Sequence, residues 1–174
     1  AADSIEEIKT QYDAILAKLE VKPLVIEDRD TCSCTEQVLP ALRMMLCQEA
    51  IQLAGQTCSG IRNPYAGANL KVLKVRKNSL VKSFYDSAEA YAKISRPFTP
   101  DGIVYCKSNY IYIDAEESQD KIAQAQEAIP AFVKKFGYLP KVILIKGIGL
   151  VAVGDNAAQC DIILDVYEDA MKIA

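Results

Sequence analysis

Residues 140–155, PKVILIKGIGLVAVGD, place a lysine and three glycines directly after a continuous apolar run. Gly147-Ile148-Gly149 followed by Gly154 meets a loose G-x-G pattern, and Lys146 beside it could hold a phosphate or a carboxylate. A dinucleotide fingerprint needs glycines that turn a strand into a helix whose N-terminus faces the pyrophosphate. Here LVAV intervenes and reads as a strand. The preferred reading is a tight bend between two strands, with Lys146, Gly147 and Gly149 kept as anion-binding candidates. A second group is Thr99-Pro100-Asp101 with Lys107. Thr99 suits a helix cap, Pro100 the first turn where its missing N–H costs nothing, and Asp101 the positive end of the dipole. A substrate role for Thr99, Asp101 and Lys107 stays open beside that reading, because loop-borne polar residues often carry function.

The stretch LKVLKVRKNSLVK carries Lys71, Lys74, Arg76, Lys77 and Lys82. It could attract a phosphorylated ligand or a polyanion. Lysines on an edge strand also block edge-to-edge pairing, and that is the preferred reading. Aromatic interleaving suited to stacking on bases is lacking. The pair of thiols in DTCSC, two residues apart, is a poor zinc motif; a disulfide between such near neighbours is expected to be strained, so an exposed loop is expected. Glu116, Glu117, Asp120 and Glu127 read as charges on a helix surface, the first three forming an acidic first turn.

Histidine is absent from all 174 residues. This excludes histidine-held zinc, Ser-His and Cys-His nucleophile pairs and histidine general bases within the chain. No catalytic residue, metal ligand or cofactor is therefore assigned to it. A formal charge of −3 disfavours a general nucleic-acid surface. No apolar run approaches the roughly 20 residues needed to span a bilayer, and the acidic N-terminus has no apolar signal core. Six cysteines without a repeating spacing, several in apolar contexts, are expected to pack as small hydrophobes in a reduced, cytoplasmic protein.

These residues must be positioned by a single core, which is what the chain length supports. DSIEEIKTQYDAILAKLE spaces Ile5, Ile8, Tyr12, Ile15 and Leu19 as an amphipathic helix capped by Asp3 or Ser4. A helix follows from Thr35 to about Leu53, then a loop over 55–69. LKVLKV and YIYID read as strands, and SLVKSFYDSAEAYAKI as one helix or two short ones. GIVYC is ambiguous between strand and helix. SQDKIAQAQEAIPAFVKKF is a helix with a kink expected at Pro130 unless it restarts there. KVILI and LVAV form a hairpin near 141–153, and the last helix runs from about Asn156 to Ile173. The class is α/β, a layered sheet flanked by helices. Residues 1–20 also echo 153–172: Ser4 falls on Asn156, and Ile8, Tyr12, Ile15 and Leu19 fall on Cys160, Leu164, Tyr167 and Met171. Either the echo is coincidence between two capped helices, or the first helix once followed a hairpin as the last one does.

VLPALR at 38–43, PFTPDGIVYCKSNYIYID at 97–114 and PKVILIKGIGLVAVGDNAAQCDIILDVYEDAM at 140–171 resemble, in that order, the later part of class II aldolase/adducin family proteins. The likeness is strongest to the long form related to rhamnulose-1-phosphate aldolase/alcohol dehydrogenase, and covers roughly residues 35–174. It implies a C-terminal α/β domain over 35–174, with residues 1–21 a helix left from a preceding aldolase domain. It adds Arg43, within the matching Leu39, Pro40 and Leu42, to the anion-binding candidates. The family's lyase chemistry uses zinc held by histidines, and the resemblance places zinc in that other half. Where long members read Pro-Asp-His, this chain has Gly102 after Pro100 and Asp101.

The resemblance implies a non-catalytic domain that supports assembly or the active site of a metal-binding half, that half being its partner. Homo-oligomerisation is open; nucleic acid and membrane are not expected partners. The alternative is a free-standing module for a small phosphorylated ligand or nucleotide. A third reading, a complete small enzyme using lysine or acidic residues, lacks any pairing of nucleophile with base.

Overall fold

The computed structural model describes residues 4–18, 24–30, 32–56 and 70–174. Its centre is a mixed sheet of β1 (Val72–Arg76), β2 (Ile111–Ile113), β3 (Val142–Ile145) and β4 (Gly149–Gly154), in the order β1-β4-β3-β2. β4 pairs antiparallel with β1 and β3, whereas β2 and β3 pair parallel. The strands β1, β2 and β3 therefore run one way and end at one edge of the sheet.

Alternation along the strands makes two cores. Val142, Leu144, Leu150 and Ala152 face one side, where α3 (Ser79–Tyr85) and α6 (Ala157–Ile173) supply Val81, Phe84, Ile163, Leu164 and Tyr167. Ile143, Ile145, Val151 and Val153 face the other, against Val38, Leu42 and Leu46 of α2 (Cys34–Gln56) and Ala125, Ile129 and Phe132 of α5 (Ser118–Phe136). Every residue of β3 and β4 is buried because each strand is covered on both faces. The expected α/β layering with a hairpin over 141–153 is the observed one.

SLVKSFYDSAEAYAKI forms two short helices, α3 and α4 (Ala88–Ala92), each opened by its own cap, Asn78 and Ser87. GIVYC forms neither an α-helix nor a strand but a π-helical segment, Gly102–Cys106, introduced by Thr99, whose hydroxyl accepts from the Gly102 amide at 3.1 Å. α5 continues through Pro130 without interruption, and that proline lies on the exposed face of the helix. α2 extends past the expected end at Leu53 to Gln56; the rest of the expected loop, 57–69, lies outside the described residues.

Cys32 and Cys34 are joined in a disulfide, contrary to the open thiols expected for DTCSC. The turn entering α2, closed by Thr35 N–H to Cys32 C=O at 3.0 Å, brings their Cα atoms to 5.3 Å, inside the range a disulfide spans. Cys106 is a buried thiol, as its apolar context suggested, whereas Cys47, also in an apolar context, is half-buried; Cys160 is buried too, and burial pushes Cys106 up to about 12, which keeps it protonated. Among the described residues no helix is long and apolar enough to cross a membrane.

The basic stretch has a structural use. β1 is an edge strand, as the lysines suggested, but its two cations, and Lys71 just before it, are paired rather than solvated. Lys71 pairs with Asp155, Lys74 with Asp161 at 2.7 Å, and Arg76 with Asp165 at 2.7 Å and Glu168 at 3.2 Å. Burial alone would lower the Arg76 pKa; the two carboxylates more than offset that and hold it above its usual value. A two-residue step along a strand advances about 6.7 Å and a four-residue step along a helix about 6 Å, so Lys74 and Arg76 meet Asp161 and Asp165 in register.

Candidate functional site

The carboxyl ends of β1, β2 and β3 open onto a cleft of about 630 Å³, the edge at which α/β sheets usually take their ligands. Residues 27–29 cross beside it: the Asp28 backbone bridges to Asn78, and the Arg29 amide donates to the Lys77 carbonyl at 3.0 Å. Lys146 and Gly147, both candidates from the sequence, line this cleft with Glu116, Lys77 and Asp86.

The glycine pair there is a bend. Ile145 pairs with Gly149 across the antiparallel ladder, and the Ile148 amide donates to the Ile145 carbonyl at 3.1 Å. Gly147 has φ +79° and Gly149 φ +134°, values that L side chains rarely adopt. Gly149 opens a strand, not a helix, so no helix N-terminus stands behind it for a pyrophosphate. Ile148 turns inward and is fully buried in the α2/α5 core.

Lys146 is not a free cation. Its ammonium lies 2.5 Å from Glu116 Oε1, and that hydrogen bond raises its pKa. Lys82 is likewise paired with Asp86 one helical turn on. Four acids (Asp28, Asp30, Asp86, Glu116) and four bases (Arg29, Lys77, Lys82, Lys146) line the cleft, which leaves it near neutrality. Among the residues lining it, no nucleophilic hydroxyl or thiol is set against a general base. The arrangement suits exchange of ion pairs with a ligand or partner better than bond making.

The other candidates lie elsewhere. Thr99 and Asp101 open the π-helical segment, Thr99 as its cap. Lys107 closes that segment with φ +67°, the only positive φ on a non-glycine among the described residues. Arg43 sits on α2 and donates from Nε to the Lys71 carbonyl at 2.9 Å, which ties that helix to the start of β1. The structure thus brings together Lys146, Gly147 and Gly149 and separates them from Lys107, which shares a cavity with Lys141 at the opposite edge of the sheet. Lys141 went unremarked in the sequence, where a single lysine ahead of an apolar strand carries no signal.

One further surface stands out. α1 (Ile5–Leu16) is well formed, with Ser4 Oγ accepting from the Glu7 amide at 3.1 Å, but it buries no residue. Ile8, Tyr12 and Ile15 are 48%, 64% and 58% exposed. Leu19 and the rest of the expected helix up to residue 21 lie outside the described residues. Known proteins offer no guide: no family model matches the chain, and no curated protein or solved structure is significantly similar to it.

Proposed function

We propose that this chain is a non-catalytic C-terminal domain of a class II aldolase-like protein, in which it supports the assembly or the active site of a half that carries the zinc-binding histidines. The observation that carries this reading is the apolar stripe of α1. Cys160, Leu164 and Tyr167, the α6 positions that Ile8, Tyr12 and Ile15 echo in sequence, are buried against β1 and β4. Each cap also corresponds, Ser4 with Asn156, whose side chain accepts from the Gln159 amide at 2.9 Å. A helix of 12 residues with such a stripe gains most of its stability from a partner surface. A sheet in the metal-bearing half, seated under α1 as β1 and β4 are under α6, meets that need.

The competing reading, a phosphorylated-ligand module near Lys146 or the turn at 99–101, is weakened at Lys146 by the Glu116 ion pair and by the charge balance of that cleft. The resemblance of residues 38–43, 97–114 and 140–171 to class II aldolase-like proteins favours the first.

The double variant Ile8→Asp/Ile15→Asp tests it. In this chain alone the melting temperature is expected to stay within about 2 °C of the parent, since both side chains are already exposed. In the full product of the encoding gene the same change is expected to expose α1 to amide hydrogen exchange and to lower any aldolase activity. A gene product in which α1 exchanges freely before mutation, or whose activity and assembly ignore the change, would overturn the proposal.

A further inference from the structure

At the edge of the sheet opposite the cleft, the starts of β1 and β3 and the end of the π-helical segment bring three lysines to one cavity. Lys71 precedes β1, Lys141 precedes β3, and Lys107 closes the π-helical segment; with them the cavity, of about 350 Å³, is lined by Leu53, Tyr138, Leu139 and Val153. One wall is thus cationic and the rest apolar.

The charges are not cancelled from within. Lys71 is paired with Asp155. Among the described residues, the Lys141 ammonium donates to the neutral Gln159 Oε1 at 3.4 Å. Lys107 is exposed, and no carboxylate lies within ion-pairing distance of it or of Lys141 among the described residues. Among the described residues, the three ammoniums lining the cavity, against the one carboxylate of Asp155, leave a net charge of +2.

Two features show the cluster under electrostatic and conformational load. Burial lowers the pKa of Lys141; Asp155 partly offsets this, and repulsion from Lys71 and Lys107 adds to it. Lys107 holds a left-handed backbone that most residues other than glycine avoid. A second cavity, lined by Asn156, Ala158 and Gln159 at the start of α6, shares Lys107 and Lys141, so the positive end of that helix dipole adds to the same potential.

We propose that this cavity binds a small organic phosphate monoester, its dianion held among Lys71, Lys107 and Lys141 and its organic body against Tyr138, Leu139 and Val153. A phosphate monoester carries nearly two negative charges at neutral pH, which matches the uncompensated +2; a carboxylate supplies half of that. Lysine binds phosphate as a point charge and does not require the planar fork of arginine. The apolar wall distinguishes an organic phosphate from the inorganic ion. The site stands apart from the α1 surface, so its test does not depend on the proposed function.

Titration calorimetry of the full chain with phenyl phosphate, at fixed ionic strength and pH 7.5, is the experiment. One saturable site is expected, with inorganic phosphate and benzoate each about tenfold weaker or more. Lys141→Met and Lys107→Gly are each expected to weaken phenyl phosphate about tenfold, while Lys93→Met, on the exposed end of α4, leaves it unchanged. Lys107→Gly keeps the positive φ at no steric cost, so a loss of binding in a variant that melts as high as the parent reports the charge. No saturable binding, benzoate binding as tightly as phenyl phosphate, or an affinity that ignores both lysine variants would overturn the proposal.

Discussion

Gly149→Ala is expected to lower the unfolding free energy by about 3–5 kcal/mol, from backbone strain and overpacking together. A Cβ at this position would stand 2.5 Å from the Arg76 carbonyl oxygen and 3.3 Å from the Lys77 Cβ. The nearer atom is backbone of the paired edge strand, so it cannot swing aside. The residue also sits at φ +134°, where an L side chain is strained whatever the space. Gly147→Ala makes the control: at φ +79° it is strained, but an added Cβ meets nothing within 4 Å, and a loss of about 1–2 kcal/mol is expected. Urea unfolding of both variants measures the difference. Equal losses would mean that the contact with β1 does not constrain the hairpin, and that the bend is held by local conformation alone.

Asn78→Ala is expected to cost about 2–4 kcal/mol, the sum of a lost helix cap and a lost hydrogen bond to a charged acceptor. Asn78 is 3% exposed and works in two directions. Its Oδ1 accepts from the Val81 amide at 2.8 Å, which starts α3, and its Nδ2 donates to Glu168 Oε2 at 3.0 Å. Glu168, itself largely buried on α6, is also held by Arg76 and by Lys172 at 3.4 Å. Asn78→Asp separates the two jobs, since the cap survives while a second carboxylate is set against Glu168. That variant is expected to be destabilised at neutral pH and to recover relative to the parent as pH falls and one of the two carboxylates takes a proton. Thermal melts at pH 7 and pH 4.5 decide it. A penalty that does not shrink on acidification would show that Glu168 is not the group that opposes the new charge.

Much of the fold was readable from local pattern. KVILI and LVAV are apolar without interruption because β3 and β4 are covered on both faces. The caps Ser4, Thr99 and Asn156 announced themselves because a cap is an interaction over three residues. GIVYC was harder. Its apolar residues are arranged so that Cys106 is buried while Ile103, Val104 and Tyr105 are exposed, a pattern that neither a 3.6-residue nor a two-residue period describes.

The candidate site was less readable, because its members meet only through the sheet. Lys146 looked like a free cation beside a glycine bend; its Glu116 partner comes from the loop after β2, thirty residues earlier, and arrives through the parallel β2–β3 pairing. The cations of β1 showed no partner nearby in sequence; Asp161, far along the chain, reaches Lys74, and Asp165 and Glu168 reach Arg76, only because α6 packs over β1 and β4.

Residue types and their short-range order thus determined the helices, the strands, the glycine bend and the absence of any histidine chemistry, since each of these depends on a few neighbouring residues. Which charges are spent on holding the protein together, and which are left facing a cavity, was decided by the tertiary structure alone. No local feature of the sequence tells which of Lys71, Lys107, Lys141 and Lys146 has an ion-pair partner. They differ in whether the fold brings a carboxylate within ion-pairing distance, and Coulombic attraction at contact range depends on distance in space and not along the chain.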